Sequence, residues 1–469
     1  MNRTNCPVNS AAKKYDQRLA IVTDEKTHTY QELDQMVCAA ENRLRKIDIQ
    51  RKQRIGIFAV NSVEYVIVLL ALWRIGAIAC LLSPRFPKAT VNLLTKKIHC
   101  TRILTEKDFS LSWRVSPEVR RSNPLKIDRA ATILFTSGTT AVPKAVLHTY
   151  ANHFYSAKGA NLNIRLGPND RWLLSLPLYH VGGLAILFRV FLAGSTLVIA
   201  SQGTQIQEAI LHSGVTHVSL VQTQLYRLLS KKRGINALSK FKAILLGGSV
   251  IGESIIKKAV TLRLPIYTTY GSTEMASQVT TTRKNDSLKR LQTSGKILKY
   301  RQIRIMNDYE IFLKGKTLCQ GYVEGNRLRS PTTSDGWFPT GDLGRFDAEK
   351  YLTVWGRKDN MFISGGENIY PEEIESELYK MKGIQEAMVV PVKNDEFVYR
   401  PVTLIKVSSS THFSHAQLTR YLKKHLPRFK IPETFFVWPE QTDFDSIKVD
   451  RKFLTNLVTT HAHDLKRLS

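Results

Sequence analysis

Hydrophobic and polar positions alternate in two rhythms along this chain. Residues 30–47 carry apolar side chains at helical spacing behind a polar start, which predicts an amphipathic helix. Residues 54–59 form a short apolar run and predict a buried strand; 63–75 then predict a helix, and 76–82 a second strand ended by Pro84. The same succession resumes after residue 130. Strands are predicted at 133–135, 145–147, 172–177, 195–199, 217–221, 243–249 and 266–270, with helices at 152–160, 205–212, 225–231 and 253–260. Strands separated by helices specify a parallel sheet with helices on its faces, so the expected fold class is α/β.

From residue 294 the texture changes. Short strands at 303–305 and 310–313 lie between Gly and Asp turns and suggest a β-rich subdomain. The charged turn Gly356-Arg357-Lys358-Asp359 is the expected domain boundary. It divides the chain into a large N-terminal domain of α/β layers, residues 1–356, and a small α+β C-terminal domain, residues 357–469. The second part has a Gly365-Gly366 turn, a helix from Pro371, strands at 387–392 and 402–407, a helix at 415–426 and a tail with Lys448. Pro371 followed by Glu372, Glu373 and Glu375 reads as a helix start, the carboxylates facing the helix dipole rather than acting as catalysts. Residues 116–126 read as a polar surface connection.

With 469 residues the chain can bury a large core, and 43% hydrophobic with 23% charged residues is ordinary for a folded protein. The five cysteines, Cys6, Cys38, Cys80, Cys100 and Cys319, include no CxxC pair. That argues against a disulfide framework and a zinc site, and fits a reducing cytoplasm. Residues 1–14 lack the apolar core of a secretory signal. The most hydrophobic stretch, 65–82, is interrupted by Arg74, so no transmembrane segment is expected. The net charge of +29 admits nucleic-acid binding. Yet the cations are spread along the chain, and the clusters at Lys231-Lys232-Arg233 and Lys423-Lys424 belong to no recognisable nucleic-acid module. No specific nucleic-acid partner is expected; a homo-oligomer is left open.

The candidate chemistry starts at Thr136-Ser137-Gly138-Thr139-Thr140, a loop between two apolar runs that is closed by Pro143-Lys144. Backbone N–H groups, hydroxyls and an ammonium so close together suit a polyphosphate. A plain polar turn is the alternative, since the loop lacks the Gly-Lys-Ser/Thr order of the common phosphate loop. Further along come Tyr270-Gly271-Ser272-Thr273-Glu274, at a strand end where α/β sheets place ligands, then Thr340-Gly341-Asp342 and Gly356-Arg357-Lys358. Gly365-Gly366-Glu367-Asn368-Ile369-Tyr370-Pro371 and Ile447-Lys448-Val449-Asp450-Arg451 complete the series.

In this order the motifs resemble those of the adenylate-forming enzymes: acyl-CoA synthetases, peptide-synthetase adenylation domains and luciferases. The resemblance spans nearly the whole chain. Through residues 172–180, 221–225, 270–278 and 447–451 it is closest to the branch that joins 2-succinylbenzoate to CoA in menaquinone biosynthesis. It implies a cytoplasmic ligase whose small-molecule partners are the acid, ATP and coenzyme A, with Mg²⁺. The acid first displaces diphosphate from ATP, and the CoA thiol then attacks the acyl-adenylate.

The same resemblance implies residue roles. Thr136, Ser137, Gly138, Thr139, Thr140 and Lys144 wrap the β- and γ-phosphates, Thr273 meets the α-phosphate, and Glu274 holds Mg²⁺, a hard cation suited to carboxylates. Asp342 accepts the ribose hydroxyls, assisted by Arg357. Gly247, Gly248, Ser249 and Tyr270 flank the adenine, with Gly271 in the same nucleotide-binding set. Lys448 is the expected catalytic residue of adenylation, an ammonium that bridges the substrate carboxylate and the α-phosphate. A plain surface lysine is the alternative. Lys358 matches the hinge about which the C-terminal domain moves as a mobile lid. Gly365 and Gly366 then line the pantetheine channel in the thioester-forming state, or are only a tight turn. His180 stands near the acyl pocket; a satisfied core histidine is the alternative. Arg189 is the candidate for the succinyl carboxylate, because an Arg within the apolar run 184–192 needs an anionic partner if buried; a structural salt bridge is the alternative. Thr223, Ser277 and Gln278 complete the expected pocket. The chain departs from the family pattern at Ala141 and Ala145, where relatives carry Gly, and at Ser272 and Ser446. If position 141 needs positive φ, Ala costs about 1 kcal/mol there.

Overall fold

A computed structural model describes residues 3–4, 6–109, 125–136, 143–201, 204, 206–248, 251–408, 411–439 and 451–468. The expected α/β alternation is present. A nine-stranded sheet has a parallel centre in the order Ile266–Ser272, Ala243–Leu246, His217–Leu220, Arg171–Leu173, Thr196–Val198 and Leu19–Val22. A seven-stranded sheet places Ala130–Thr136, Ile78–Leu82, Arg54–Phe58 and Arg102–Thr105 in parallel, and Lys144–Thr149 and Gly321–Glu324 antiparallel at one side. The largest apolar cluster draws on both sheets and on the helices that cover them, with Trp73 and Phe188 ring centroids 5.1 Å apart within it.

Local chemistry sets where these elements end. Ser62 caps the helix Val63–Ile75 by accepting the Tyr65 N–H at 3.0 Å, and Gly76 closes it in the left-handed region at φ +92°. The strand expected from 76 therefore starts at Ile78. Arg74 lies buried in this apolar helix, where Asp34 neutralises it. The strand expected over 172–177 ends at Leu173. Ser175 turns its hydroxyl to the Ser219 carbonyl, and Pro177 has no N–H to give a ladder. Of the connection 116–126, Leu125–Lys126 pairs with Arg3–Thr4; residues 110–124 lie outside the described residues.

The β-rich segment is an antiparallel four-stranded sheet of Arg301–Ile305, Glu310–Gly315, Phe338–Phe346 and Leu352–Arg357. A 3-10 turn, Lys358–Asn360, follows, and every ladder among the described residues lies wholly before or wholly after it. Beyond it are the hairpin Phe362–Ser364 with Glu367–Ile369 and a sheet of Ile384–Asn394, Val398–Val407 and Thr434–Val437, packed by helices Pro371–Leu378 and His415–His425. Among the described residues no helix is long and apolar enough to cross a membrane.

The acidic start of Pro371–Leu378 does more than face a dipole. Glu375 is buried and accepts from Arg451 Nη1 at 2.6 Å and from the Val389 N–H at 2.7 Å, while Glu373 pairs with Lys430 at 2.6 Å. Glu375→Ala leaves Arg451 without its closest counter-charge. It is expected to cost about 3–5 kcal/mol in unfolding free energy, read from a denaturant titration.

Candidate active site

Parallel strands end on one edge of their sheet, and the site is built there. After Arg171–Leu173 the chain reaches His180, which precedes helix Val181–Ala193; after His217–Leu220 it reaches Thr223 in helix Gln222–Leu229. After Ala243–Leu246 come Gly247 and Gly248, and Ile266–Ser272 leads into Thr273 and Glu274. Gly248 has φ +89°, and a Cβ on Gly247 would stand 2.6 Å from Thr269 Cγ2, so this turn favours its glycines. A Cβ on Gly271 would lie 2.2 Å from the Ser277 carbonyl. Ser249 lies outside the described residues.

The second wall is the four-stranded sheet. Asp342 and Arg357 are register partners on neighbouring strands, and Arg357 Nη1 donates to Asp342 Oδ1 at 2.7 Å. Tyr270 donates its hydroxyl to Asp342 Oδ2 at 2.6 Å, which ties the strand edge to this sheet. Burial, and then Asp342, raise the Tyr270 pKa. Burial opposes the charge on Arg357, but Asp342 and Asp359 hold its pKa above the ordinary value. The result is a carboxylate held in place from two sides, a two-oxygen acceptor at the meeting of the two walls.

The third wall comes from the seven-stranded sheet. Thr136 and Lys144 oppose each other at the ends of their strands. The residues between them that were assigned to phosphate, Ser137, Gly138, Thr139 and Thr140, lie outside the described residues, as does Ala141. Ala145 is described. It sits in strand Lys144–Thr149 opposite Phe135, 1% exposed, and has no positive φ, so the position does not require glycine. Ser272 ends its strand and accepts the Met275 N–H at 3.3 Å; Ser446 is not described.

Two residues join these walls without any motif to announce them. Tyr322 pairs with Val146, donates its hydroxyl to Glu274 Oε1 at 2.9 Å and lies under the Lys144 ammonium at 5.3 Å. His148, fully buried on the same strand as Lys144, donates Nε2–H to the Thr273 carbonyl at 2.8 Å. Burial pushes its pKa down to about 4, so it is neutral at pH 7. His148→Ala is expected to lower kcat/KM for ATP ~10–100-fold by loosening Thr273, with the KM for CoA unchanged, read by steady-state kinetics.

Among the described residues no three His, Cys, Asp or Glu side chains gather to cage a metal. Glu274 offers a single carboxylate, joined through Tyr322 to Lys144, a donor set that fits Mg²⁺, which takes one or two carboxylates together with substrate phosphates.

The acid side centres on Arg189. It is 2% exposed, its guanidinium lies 5.2 Å from the Trp172 ring, and its Nε has no partner. Among the described residues it forms no ion pair, which removes the structural salt bridge as its explanation. Burial lowers its pKa to about 9. A second buried guanidinium, Arg301, is also lowered to about 9, by burial and then by Arg189. Arg301 donates to the Gln278 carbonyl at 2.7 Å and the Ser156 carbonyl at 3.0 Å, behind a strained turn where Ala276 and Ser277 have φ +51° and +100°. The Gln278 side chain donates to Thr281 Oγ1 at 2.7 Å and leaves its Oε1 without a partner. His180 is exposed on the wall rather than a core histidine; partial loss of hydration, and then Arg85, lower its pKa.

Gly365 and Gly366, at φ +57° and +85°, close the hairpin Phe362–Ser364 with Glu367–Ile369, and a Cβ on Gly365 would meet the Phe397 ring at 2.8 Å. Among the described residues no hydrogen bond or ion pair joins this turn to Thr273, Glu274 or Asp342. Lys358 donates to Asp308 at 2.8 Å and Glu310 at 3.1 Å. Lys448 lies outside the described residues; Arg451, which closes its motif, is the residue gripped by Glu375.

Comparison with known proteins agrees with this layout. Residues 8–323 match the model of the AMP-binding enzyme family. A 2-succinylbenzoate–CoA ligase from Bacillus cereus is 31% identical over 463 residues, 94% of this chain and 96% of that protein. The o-succinylbenzoate CoA synthetase (MenE) from Bacillus subtilis, in complex with the acyl-adenylate intermediate OSB-AMP, is similar at TM-score 0.83 and 27% identity over 100% of both chains. Its complex with ATP and magnesium ion gives TM-score 0.81 at 28% identity, over 93% of this chain and 96% of that one. The family model spans the first and third walls through Tyr322, and the relatives extend the match over Asp342, Arg357 and the C-terminal part: the chain belongs to the AMP-binding enzyme family.

Proposed function

We propose that this chain is an AMP-forming acid–CoA ligase that converts 2-succinylbenzoate, ATP and CoA to 2-succinylbenzoyl-CoA, AMP and diphosphate, a step of menaquinone biosynthesis. One observation carries the choice of acid: Arg189 is a buried guanidinium with no counter-charge among the described residues, 5.2 Å from the ring of Trp172 on the parallel strand that leads to His180. The substrate has two carboxylates. One becomes the acyl-adenylate; the other stays ionised and supplies the charge that Arg189 lacks. The names of the relatives support the same acid.

In this reading Lys144 and the hydroxyl loop Thr136 to Thr140 bind the β- and γ-phosphates, and Thr273 positions the α-phosphate. Glu274, together with phosphate oxygens, would hold Mg²⁺, which would supply charge neutralisation for the departing diphosphate. Asp342, fixed by Tyr270 and Arg357, binds the ribose hydroxyls, while Gly247, Gly248, Ser249, Gly271 and the Tyr270 ring border the adenine. Lys448 draws the acid carboxylate to the α-phosphate. His180, Thr223, Ser277 and Gln278 shape the acyl pocket. Residues 357–469 act as a lid that turns about Lys358 and presents Gly365 and Gly366 to pantetheine for the thioester step. The five cysteines, all free thiols, fit a cytoplasmic setting.

The test is diphosphate release from ATP against a panel of acids. Release is expected with 2-succinylbenzoate, and weakly or not at all with benzoate. Release with another aryl or fatty acid, and none with 2-succinylbenzoate, would move the chain to a different acid with the same chemistry.

A further inference from the structure

We infer that a basic face of the molecule, whose exposed side chains have no assigned role, docks on anionic lipid bilayers. Its centre is an open groove of about 300 Å³ beside the end of helix Tyr150–Asn163, lined in part by Leu162, Arg283, Lys296, Ile297 and Lys299. Two aliphatic side chains protrude there, Leu162 at 60% exposure and Ile297 at 40%. Arg283 and Lys299 are exposed beside them and Lys296 is half-buried. Among the described residues these three cations form no ion pair, although the neighbouring Arg290 does, with Glu349 at 2.6 Å.

The face continues on both sides of the groove. Lys299 stands 5.6 Å from the Tyr300 ring, Tyr300 lies 5.0 Å from Tyr155, and Lys316 stands 4.7 Å from Tyr155. On the other side Lys296 is 4.7 Å from the Tyr351 ring. Single exposed aliphatic residues are normal on a protein surface. Here they sit among cations without counter-charges, on a chain of net charge +29.

An anionic bilayer answers both features at once. Headgroup phosphates meet the cations, and Leu162 and Ile297 dip into the headgroup boundary. A nucleic acid answers only one. Its backbone gives the aliphatic groups no apolar partner, and each of Tyr155, Tyr300 and Tyr351 already carries an ammonium near its ring, where a base would stack. The inference does not depend on the identity of the acid substrate.

Co-sedimentation with vesicles tests it. The full chain is expected to partition onto phosphatidylcholine vesicles containing phosphatidylglycerol, not onto phosphatidylcholine alone, and to be released by high salt. Each cation near the surface strengthens binding about fivefold, so Lys296→Gln with Lys299→Gln should weaken partitioning ~25-fold, and adding Leu162→Gln should weaken it further. Ligase activity without vesicles should stay within about twofold, because these side chains contact none of the proposed site residues. Should the triple variant not fold, the double variant Arg283→Gln with Lys316→Gln should lose about the same factor as the lysine pair. Equal partitioning of wild type and folded variants, or no partitioning onto the anionic vesicles, would overturn the inference. So would retention on random duplex DNA that these substitutions abolish while vesicle binding persists.

Discussion

Lys448→Ala is expected to slow adenylation ~10²–10³-fold, the usual loss when one donor to a developing anion is removed. The assay is diphosphate release with 2-succinylbenzoate. Thioester formation from supplied acyl-adenylate and CoA should remain within a few-fold of wild type, because the two steps use different faces of the lid in the proposed cycle. The reason is electrostatic. The acid carboxylate and the α-phosphate repel each other, and one flexible ammonium offsets both charges at once. The buried pairing of Arg451 with Glu375 gives the segment behind Lys448 a fixed anchor. Equal loss in both half-reactions would count against the two-state lid.

Arg189→Met should separate binding from stability. Removing the cation is expected to lower kcat/KM for 2-succinylbenzoate ~10²–10³-fold through the acid, with little change in the KM for ATP. Discrimination against benzoate, which lacks the second carboxylate, should shrink by a similar factor. The free protein should nonetheless become more stable by about 1–4 kcal/mol, since a buried, unpaired charge gives way to an apolar side chain. The pH dependence follows from the same burial. Arg189 has a pKa of about 9 in the folded chain, well below its ordinary value. Affinity for the acid should therefore fall as pH rises through about 9, where the cation is lost. The unfolded chain keeps that proton to higher pH, so the stability cost of burying the charge is full below about 9 and is relieved above it. Arg189→Met should remove the dependence of acid affinity and reduce the dependence of stability, part of which Arg301, also lowered to about 9, retains. A wild-type acid affinity that is flat through this range would show that Arg189 does not hold the second carboxylate.

Much of this layout was legible in the chain, for an identifiable reason. Apolar runs fix strands, and parallel strands put their C-terminal ends on one edge, so Gly247, Gly248, Tyr270, Thr273 and Glu274 were bound to share it. Arg189 was half legible: a cation in an apolar helix needs an anion, but only the folded chain shows that no acidic side chain among the described residues supplies it. Tyr322 and His148 were not legible at all. They reach Glu274 and Thr273 across 48 and 125 residues, through strand pairings that no local pattern encodes. Likewise the carboxylates after Pro371 look local in sequence, yet the partner of Glu375 is 76 residues away. Ala145 looked like a departure that could matter; its place in a regular strand removes the concern.

The grip on Lys358 has a kinetic meaning. Asp308 and Glu310 both belong to the part of the chain before the proposed hinge, so a rotation that carries the lysine side chain away must break both bonds. Lys358 and Asp308 have side chains 51% and 53% exposed, within reach of mobile ions. Added salt therefore weakens this latch, while it leaves a bond-making step inside a closed site nearly untouched. Ionic strength becomes a clock-setting variable: turnover that quickens with salt is limited by lid release, and turnover that does not is limited by chemistry.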